Sequence, residues 1–409
     1  MKLSRLFIAP MLAASLAGCS SDKPGIDPAQ LVDFKPKARI EVRWSADIGS
    51  EGQSVLYPAV TREAVFAANS SGTIYRLDRN TGKQIWSVES GFEITGGVGA
   101  GEGLVLVGGE KGELAAFDAD SGKLKWQARA SSDVLSPPKI ADGVVVVRTG
   151  NQRITGLSAK DGGRLWLYER ATPTLIVRSH ASVVIRNGLV YAGFAAGKLA
   201  AINLKNGVVV WESSVSQPKG NTELERISDI TSLPVVDNDQ VCAVAFQGRL
   251  ACFDAGQGST LWTRDISSDK GLCAYGKTLY LTDTDSNILA LDKSSGSSVW
   301  KNSQLLLRKA TAPYPLDNFL LIGDFEGYLH ALKIEDGSFA ARSLLRNAPV
   351  LHRQSSSAGA AEALDGGSGL ISELNSASGS EAIRISPVTL GDGALVSSGG
   401  RLYSVAMRK

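Results

Sequence analysis

Few residues here stand at spacings that do chemistry. Asp283-Thr284-Asp285-Ser286-Asn287 opens like a calcium loop, with oxygen ligands on alternate residues. Its sixth place is Ile288, where the sharp turn needs Gly, and its twelfth is Ser294, where the bidentate Glu belongs. A hairpin turn accounts for it better. His180, His330 and His352 are far apart, and no His-Glu-x-x-His is present to hold a hydrolytic zinc. No Gly-x-Ser-x-Gly elbow offers a nucleophile. Gly99-Ala100-Gly101-Glu102-Gly103 lies in a strand-turn setting with no helix behind it to cradle phosphate. Cys242, Cys252 and Cys273 form no Cys-x-x-Cys and, being three, leave at least one thiol over. Cys242 and Cys252 flank one hairpin turn and can face each other, but buried free thiols are the expectation. No catalytic, metal-binding or cofactor-binding residue is expected.

One cysteine does stand in a chemical context. A basic head, Lys2 and Arg5, precedes the apolar run 6–16, then Ala17-Gly18-Cys19. The run is too short to span a membrane, which takes about 20 residues, and fits a secretory signal. Leu16-Ala17-Gly18-Cys19 resembles the bacterial lipobox, where the thiol is needed for a thioether to diacylglycerol. Cys19 is therefore expected to be lipidated and to become the mature N-terminus. Several acyl chains together give stable anchoring. Ser20, rather than Asp, after the cysteine favours the outer membrane, at its periplasmic face. Pro24, Pro28 and Pro36 make 19–40 read as a flexible tether.

Removing Lys2 and Arg5 from the 43 basic residues leaves 41 against 41 acidic ones. A neutral mature chain without a basic stripe does not read as a nucleic-acid binder. At 43% apolar, the chain can bury a large core. Its 44 glycines, without a collagen period, suit many tight turns.

The elements that position everything else are repeats. The seven tryptophans, Trp44, Trp86, Trp126, Trp166, Trp211, Trp262 and Trp300, are spaced by 42, 40, 40, 45, 51 and 38 residues. From Trp86 onward each ends one phrase, as in Gly72-Thr-Ile-Tyr-Arg-Leu-Asp78 through Gly82 to Trp86, with Gly always four residues before Trp. A seventh copy starts at Gly327 with Ala341 in place of Trp, and an eighth at Gly400. Short β-branched runs such as 104–107 precede the phrases and read as strands. In the following strand Leu114 and Ala116 face one way, Ala115 and Phe117 the other. Both faces are apolar, so both must be covered. No segment within the units keeps a helical period.

Four-stranded sheets, covered on both faces and repeated about every 40 residues, predict an all-β β-propeller. The sequence opens with a closing strand, 42–44, and ends on an unclosed hairpin, so the N-terminal strand completes the last of eight blades. The expected organisation is a signal peptide over 1–18, a tether over 19–40 and one propeller over 41–409. A Ser/Ala/Gly-rich surface insertion, mostly disordered, is expected at 353–381.

Function in a propeller sits on its connections. From closing position to next hairpin the distances are 26, 26, 31, 37, 24, 27 and 59 residues. Two consecutive long ones, 166–197 and 211–248, should lie side by side on one rim. They carry Thr172-Pro-Thr-Leu-Ile-Val-Arg178 and Asn221-Thr-Glu-Leu-Glu-Arg-Ile-Ser-Asp229. Apolar residues ringed by charges suit protein docking.

The Gly-x-Leu-x-Ala-Leu-Asp…Gly-x-x-x-Trp phrase is similar to the repeat of quinoprotein (PQQ) dehydrogenases. With the lipobox, the tether, eight units and Thr222-Glu223…Arg226-Ile-Ser-Asp229, the chain resembles the BamB family, lipoproteins of the outer-membrane β-barrel assembly machinery. The resemblance covers 1–350 and 382–409. It implies a non-catalytic scaffold docked on a periplasmic POTRA domain of BamA, and it leaves nascent outer-membrane proteins as a further partner. It also implies partner-binding roles for Leu175, Val177 and Arg178, matching Leu-x-Leu-Arg with Val for the second Leu, and for Asp229, the first Asp of an Asp-x-Asp pair. Thr231 stands at that pair's second position. Changing Arg178 or Asp229 to Ala should then weaken capture and spare the fold. The rival is a quinoprotein enzyme using pyrroloquinoline quinone and calcium. Against it stand the short chain and the lack of the adjacent Cys-Cys that many such enzymes carry. A ligand-binding propeller without chemistry is a third reading.

Overall fold

The computed structural model describes residues 27–50, 52, 54–237, 239–352 and 381–408; Cys19, the signal segment and the insertion up to 380 lie outside them. Eight sheets follow one another, seven of them wholly antiparallel. Blade 1 is built from Ala59–Val60, Ala64–Ala68, Thr73–Asp78 and Gln84–Glu89. Blades 2 to 7 occupy 94–129, 139–168, 184–214, 235–264, 271–302 and 314–344. The first strands of successive blades touch one another around the centre. Fourth strands lie outermost, with exposed residues alternating along them.

The two apolar faces of each strand are the reason for stacking. Leu114 and Ala116 pack with Val145, Val147 and Leu157 of blade 3, whereas Ala115 and Phe117 pack with Phe66 and Ala64 of blade 1. Alternation along one strand therefore feeds two different cores, as expected from the sequence.

The Trp and Gly of the repeat meet between blades. Each Trp lies over the Gly of the next blade's last turn: Trp166 on Gly207, Trp211 on Gly258, Trp262 on Gly296. A Cβ on Gly207 would stand 2.7 Å from the Trp166 ring, and its φ of +71° also favours glycine. In every Trp but Trp86 the indole N–H also donates to a carbonyl of that same turn, Trp166 to Leu204 at 2.8 Å and Trp300 to Ile334 at 2.9 Å. The turn Asp accepts hydrogen bonds from the residues ahead of it. Those from the Ser121 N–H and hydroxyl hold the Asp118 carboxyl down at about 2.

Blade 8 joins the two ends of the chain. Arg39–Asp47 pairs antiparallel with Arg401–Arg408, Val42 opposite Val405, and a short strand Val350–His352 pairs parallel on its other side. Because its third and fourth strands come from opposite ends, no turn joins them. A Trp at 341 would have no turn to cover, which explains Ala341.

Two expectations need correction. Cys242 and Cys252 are disulfide-bonded, not free: they stand directly opposite on adjacent strands with Cα atoms 4.1 Å apart, close enough to bond across a non-hydrogen-bonded pair. Cys273 is free, and loss of water around it pushes its thiol up to about 12. Closing so short a loop stabilises by about 2–3 kcal/mol through the unfolded chain. Reductant should lower the wild-type Tm accordingly, and the double variant Cys242→Ser, Cys252→Ser should melt at the reduced temperature with or without reductant. The tether is the second correction: residues 29–38 are not free but lie along the outer strand of blade 7, with Ala38 buried.

Candidate partner-docking site

The long connections, 169–183 between blades 3 and 4 and 215–234 between blades 4 and 5, do converge on one rim. A single carboxylate ties them. Asp229 accepts the Val177 N–H on Oδ2 at 2.7 Å and the Ala196 N–H on Oδ1 at 3.0 Å. Its own carbonyl accepts the Phe246 N–H at 2.8 Å, which fixes the loop to blade 5. The Ser179 hydroxyl adds a bond to the Thr231 carbonyl at 3.1 Å. Asp229 is only 2% exposed. The buried guanidinium of Arg148 lies nearby, donating to the Ala181 carbonyl at 3.1 Å and standing over the Phe194 ring. Burial lowers Arg148 to about 10, and the charge of Asp229 opposes that fall.

The Asp229 carboxylate, used by two backbone donors and closed to solvent, knots the two loops together. The same geometry puts other residues forward. Leu175 and the 59%-exposed side chain of Arg178 project, while Val177 is half-buried. Arg178 Nη2 lies 3.3 Å from Asp133 and 3.7 Å from Glu110, acids supplied by blade 2 and the connection after it. His180 turns inward, its Nδ1 3.1 Å from the Leu135 carbonyl, and burial lowers its pKa.

Leu224 was missed from the sequence, although at 66% it is more exposed than any other large apolar residue among those described. It crowns a stiff turn. Glu225 Oε2 accepts the N–H groups of Asn221 and Thr222, and the Thr222 hydroxyl accepts the Glu225 N–H at 3.2 Å. This reciprocal bonding is a capping box, and Thr222-x-x-Glu225 was the sequence signal for it. Leu233 is also exposed. The rim thus offers three leucines held by fixed backbone, with Arg178, Arg226 and several acids beside them. Such an arrangement can bury apolar area against another protein at little ordering cost.

Asp283 spends its carboxylate on the Asp285 and Asn287 N–H groups and the Asn287 amide, as a hairpin turn requires. Among the described residues no cluster of His, Cys, Asp or Glu is arranged to hold an ion.

Comparison with known proteins decides the family. The sequence profile described as "Outer membrane protein assembly factor BamB" matches residues 37–91 and 70–302. The outer membrane protein assembly factor BamB of Nitrosomonas eutropha is 43% identical over 339 residues, covering 83% of each chain. The chain belongs to the BamB family. The Pseudomonas aeruginosa BamB is 39% identical over 336 residues, 81% of this chain and 88% of that one. The crystal structure of BamB from Moraxella catarrhalis superposes with a TM-score of 0.76 at 23% identity, over 90% of this chain and all of that one. A quinohemoprotein alcohol dehydrogenase from Pseudomonas putida shares the fold at a TM-score of 0.65 and 12% identity, over 90% and 76% of the two chains. That likeness concerns architecture alone.

Proposed function

We propose that this BamB-family chain is a non-catalytic scaffold lipoprotein of the outer-membrane β-barrel assembly machinery. Diacylated Cys19 holds it to the periplasmic face of the outer membrane. The rim formed by 169–183 and 215–234 docks on a POTRA domain of BamA and so assists folding and insertion of outer-membrane proteins.

The observation that carries this is the convergence of the two long connections around Asp229, with Leu175, Leu224 and Arg178 turned outward. Family membership supports the machinery, and the rim's chemistry supports a protein partner. Leu175 and Arg178 contribute contact, whereas Val177 contributes the N–H that Asp229 grips.

Leu175→Asp and Arg178→Ala should each weaken capture of BamA from solubilised outer membranes, together by about tenfold to a hundredfold, because buried apolar anchors and desolvated charges dominate interfaces. Both side chains are exposed, so stability should stay within about 0.5 kcal/mol of wild type. Quantitative pull-down paired with thermal melting checks both halves, and wild-type capture by the double variant would remove these residues from the interface. A bound-quinone absorbance band in the purified protein would instead favour the dehydrogenase reading.

A further inference from the structure

We propose that residues 29–38 form a docked strap, held in a dedicated site on blade 7, that fixes where the membrane anchor leaves the propeller. The membrane part of this inference rests on the lipidation of Cys19; the strap itself does not.

The contacts run the length of the segment. The Ala29 N–H donates to the Leu306 carbonyl at 2.9 Å, and Arg308 Nη1 donates back to the Ala29 carbonyl at 3.1 Å. Arg342 Nη1 donates to the Val32 carbonyl at 3.1 Å. Phe34 stacks on Phe339 with centroids 5.4 Å apart, and the Arg342 guanidinium stands over the Phe34 ring at 5.1 Å. The Lys37 and Ala38 N–H groups both donate to the Ala340 carbonyl. Val32 and Phe34 join the apolar cluster of Leu320, Leu332 and Phe339.

Behind the strap lies a buried polar network with no other evident task. Arg308 donates through Nε and Nη2 to Asp324 Oδ2 at 2.9 and 2.8 Å, and it also pairs with Glu326. His330 Nε2 is 3.0 Å from the same Asp324 oxygen, and Arg342 Nε donates to His330 Nδ1 at 3.3 Å. Asp324 and His330 are wholly buried. Burying such a set costs desolvation that packed apolar residues would avoid. What the network provides is two arginines that each turn Nη1 to a strap carbonyl, Arg308 to Ala29 and Arg342 to Val32.

The strap shortens the leash. From Cys19 to Arg39 twenty residues could reach about 70 Å, but pinning at Ala29 leaves ten, or about 36 Å. Leu306 belongs to the connection between blades 6 and 7, on the same rim as 169–183 and 215–234. The loop-bearing rim is therefore the one kept close to the bilayer, with the anchor leaving two blades around the ring from the 215–234 loop and three from the 169–183 loop.

The test uses the full lipidated chain on vesicles of phosphatidylethanolamine and phosphatidylglycerol, compared with Phe34→Ala and Arg342→Gln. Amide exchange at Ala29, Lys37 and Ala38 should be slow in wild type and at least about tenfold faster in Phe34→Ala. A spin label at exposed position 309 should lie within about 36 Å of the bilayer in wild type and spread to longer distances in either variant. Unprotected exchange at these three amides in wild type would overturn the strap, as would a Phe34→Ala variant unchanged in both measurements. A chain that keeps its slow exchange but fails to stay on vesicles would support the strap and remove the lipid anchor alone.

Discussion

Replacing Asp229 with Ala is expected to cost about 3–5 kcal/mol of stability and to abolish partner capture along with it. Two backbone N–H groups, of Val177 and Ala196, lose a charged acceptor at 2.7 and 3.0 Å. Bonds to charged groups contribute about 1.5–3 kcal/mol each, and their buried donors would stay unsatisfied. Arg148, buried close by, would also lose its compensating charge. The loops would separate, so Leu175 and Leu224 would no longer be presented together. Asp229→Asn should fall between, since an amide offers one acceptor and turns donors towards the other N–H. Urea unfolding followed by tryptophan fluorescence measures the loss. A wild-type midpoint for Asp229→Ala would show that this carboxylate does not hold the two loops together.

Trp44→Ala should destabilise by about 3–5 kcal/mol, the usual cost of emptying a buried aromatic site. Trp44 is 1% exposed, covers Gly82, and donates its indole N–H to the Arg79 carbonyl at 3.2 Å. It is special among the seven because it stands on the strand that closes the ring, so its loss loosens blade 8 from blade 1. Gly82→Ala should attack the same contact from the other side. Its Cβ would overlap the Trp44 ring, and its φ is +69°. Since both variants break one contact, the double variant should be less destabilised than the sum by about 1 kcal/mol or more. Strict additivity in a thermodynamic cycle would show that ring and glycine do not act as a pair.

The repeat was legible because every blade solves the same problem with the same residues. A Trp and a Gly at fixed spacing, and strands apolar on both faces, admit little else. Ring closure was legible from the unmatched strands at the two ends. The rim position of the docking loops followed from connection lengths. Side-chain direction within those loops did not: an Asp facing a partner and an Asp facing its own backbone read alike, and only the fold of 215–234 distinguishes them. For Cys242 and Cys252 the sequence placed the thiols across from each other, but not the bond between them. The strap was hidden because its partners, Arg308 and Arg342, lie some three hundred residues away, while Pro24, Pro28 and Pro36 make 19–40 read as a spacer. Leu224 was legible in principle, since Thr222-x-x-Glu225 announces a stiff turn.

The two-sided grip on Arg39–Asp47 carries a consequence for how the molecule is made. One neighbour of that strand is Val350–His352 and the other is Arg401–Arg408, so its hydrogen bonds wait until translation and export are nearly finished. Through that interval an apolar strand bearing Val42 and Trp44 travels without its pairs, a species prone to sticking to other chains and in need of a holding chaperone. Pairing across most of the chain length also makes the last step slow. A ribosome that stalls before residue 401 would release an open arc of seven blades, one the cell's proteases can recognise by its loose first strand.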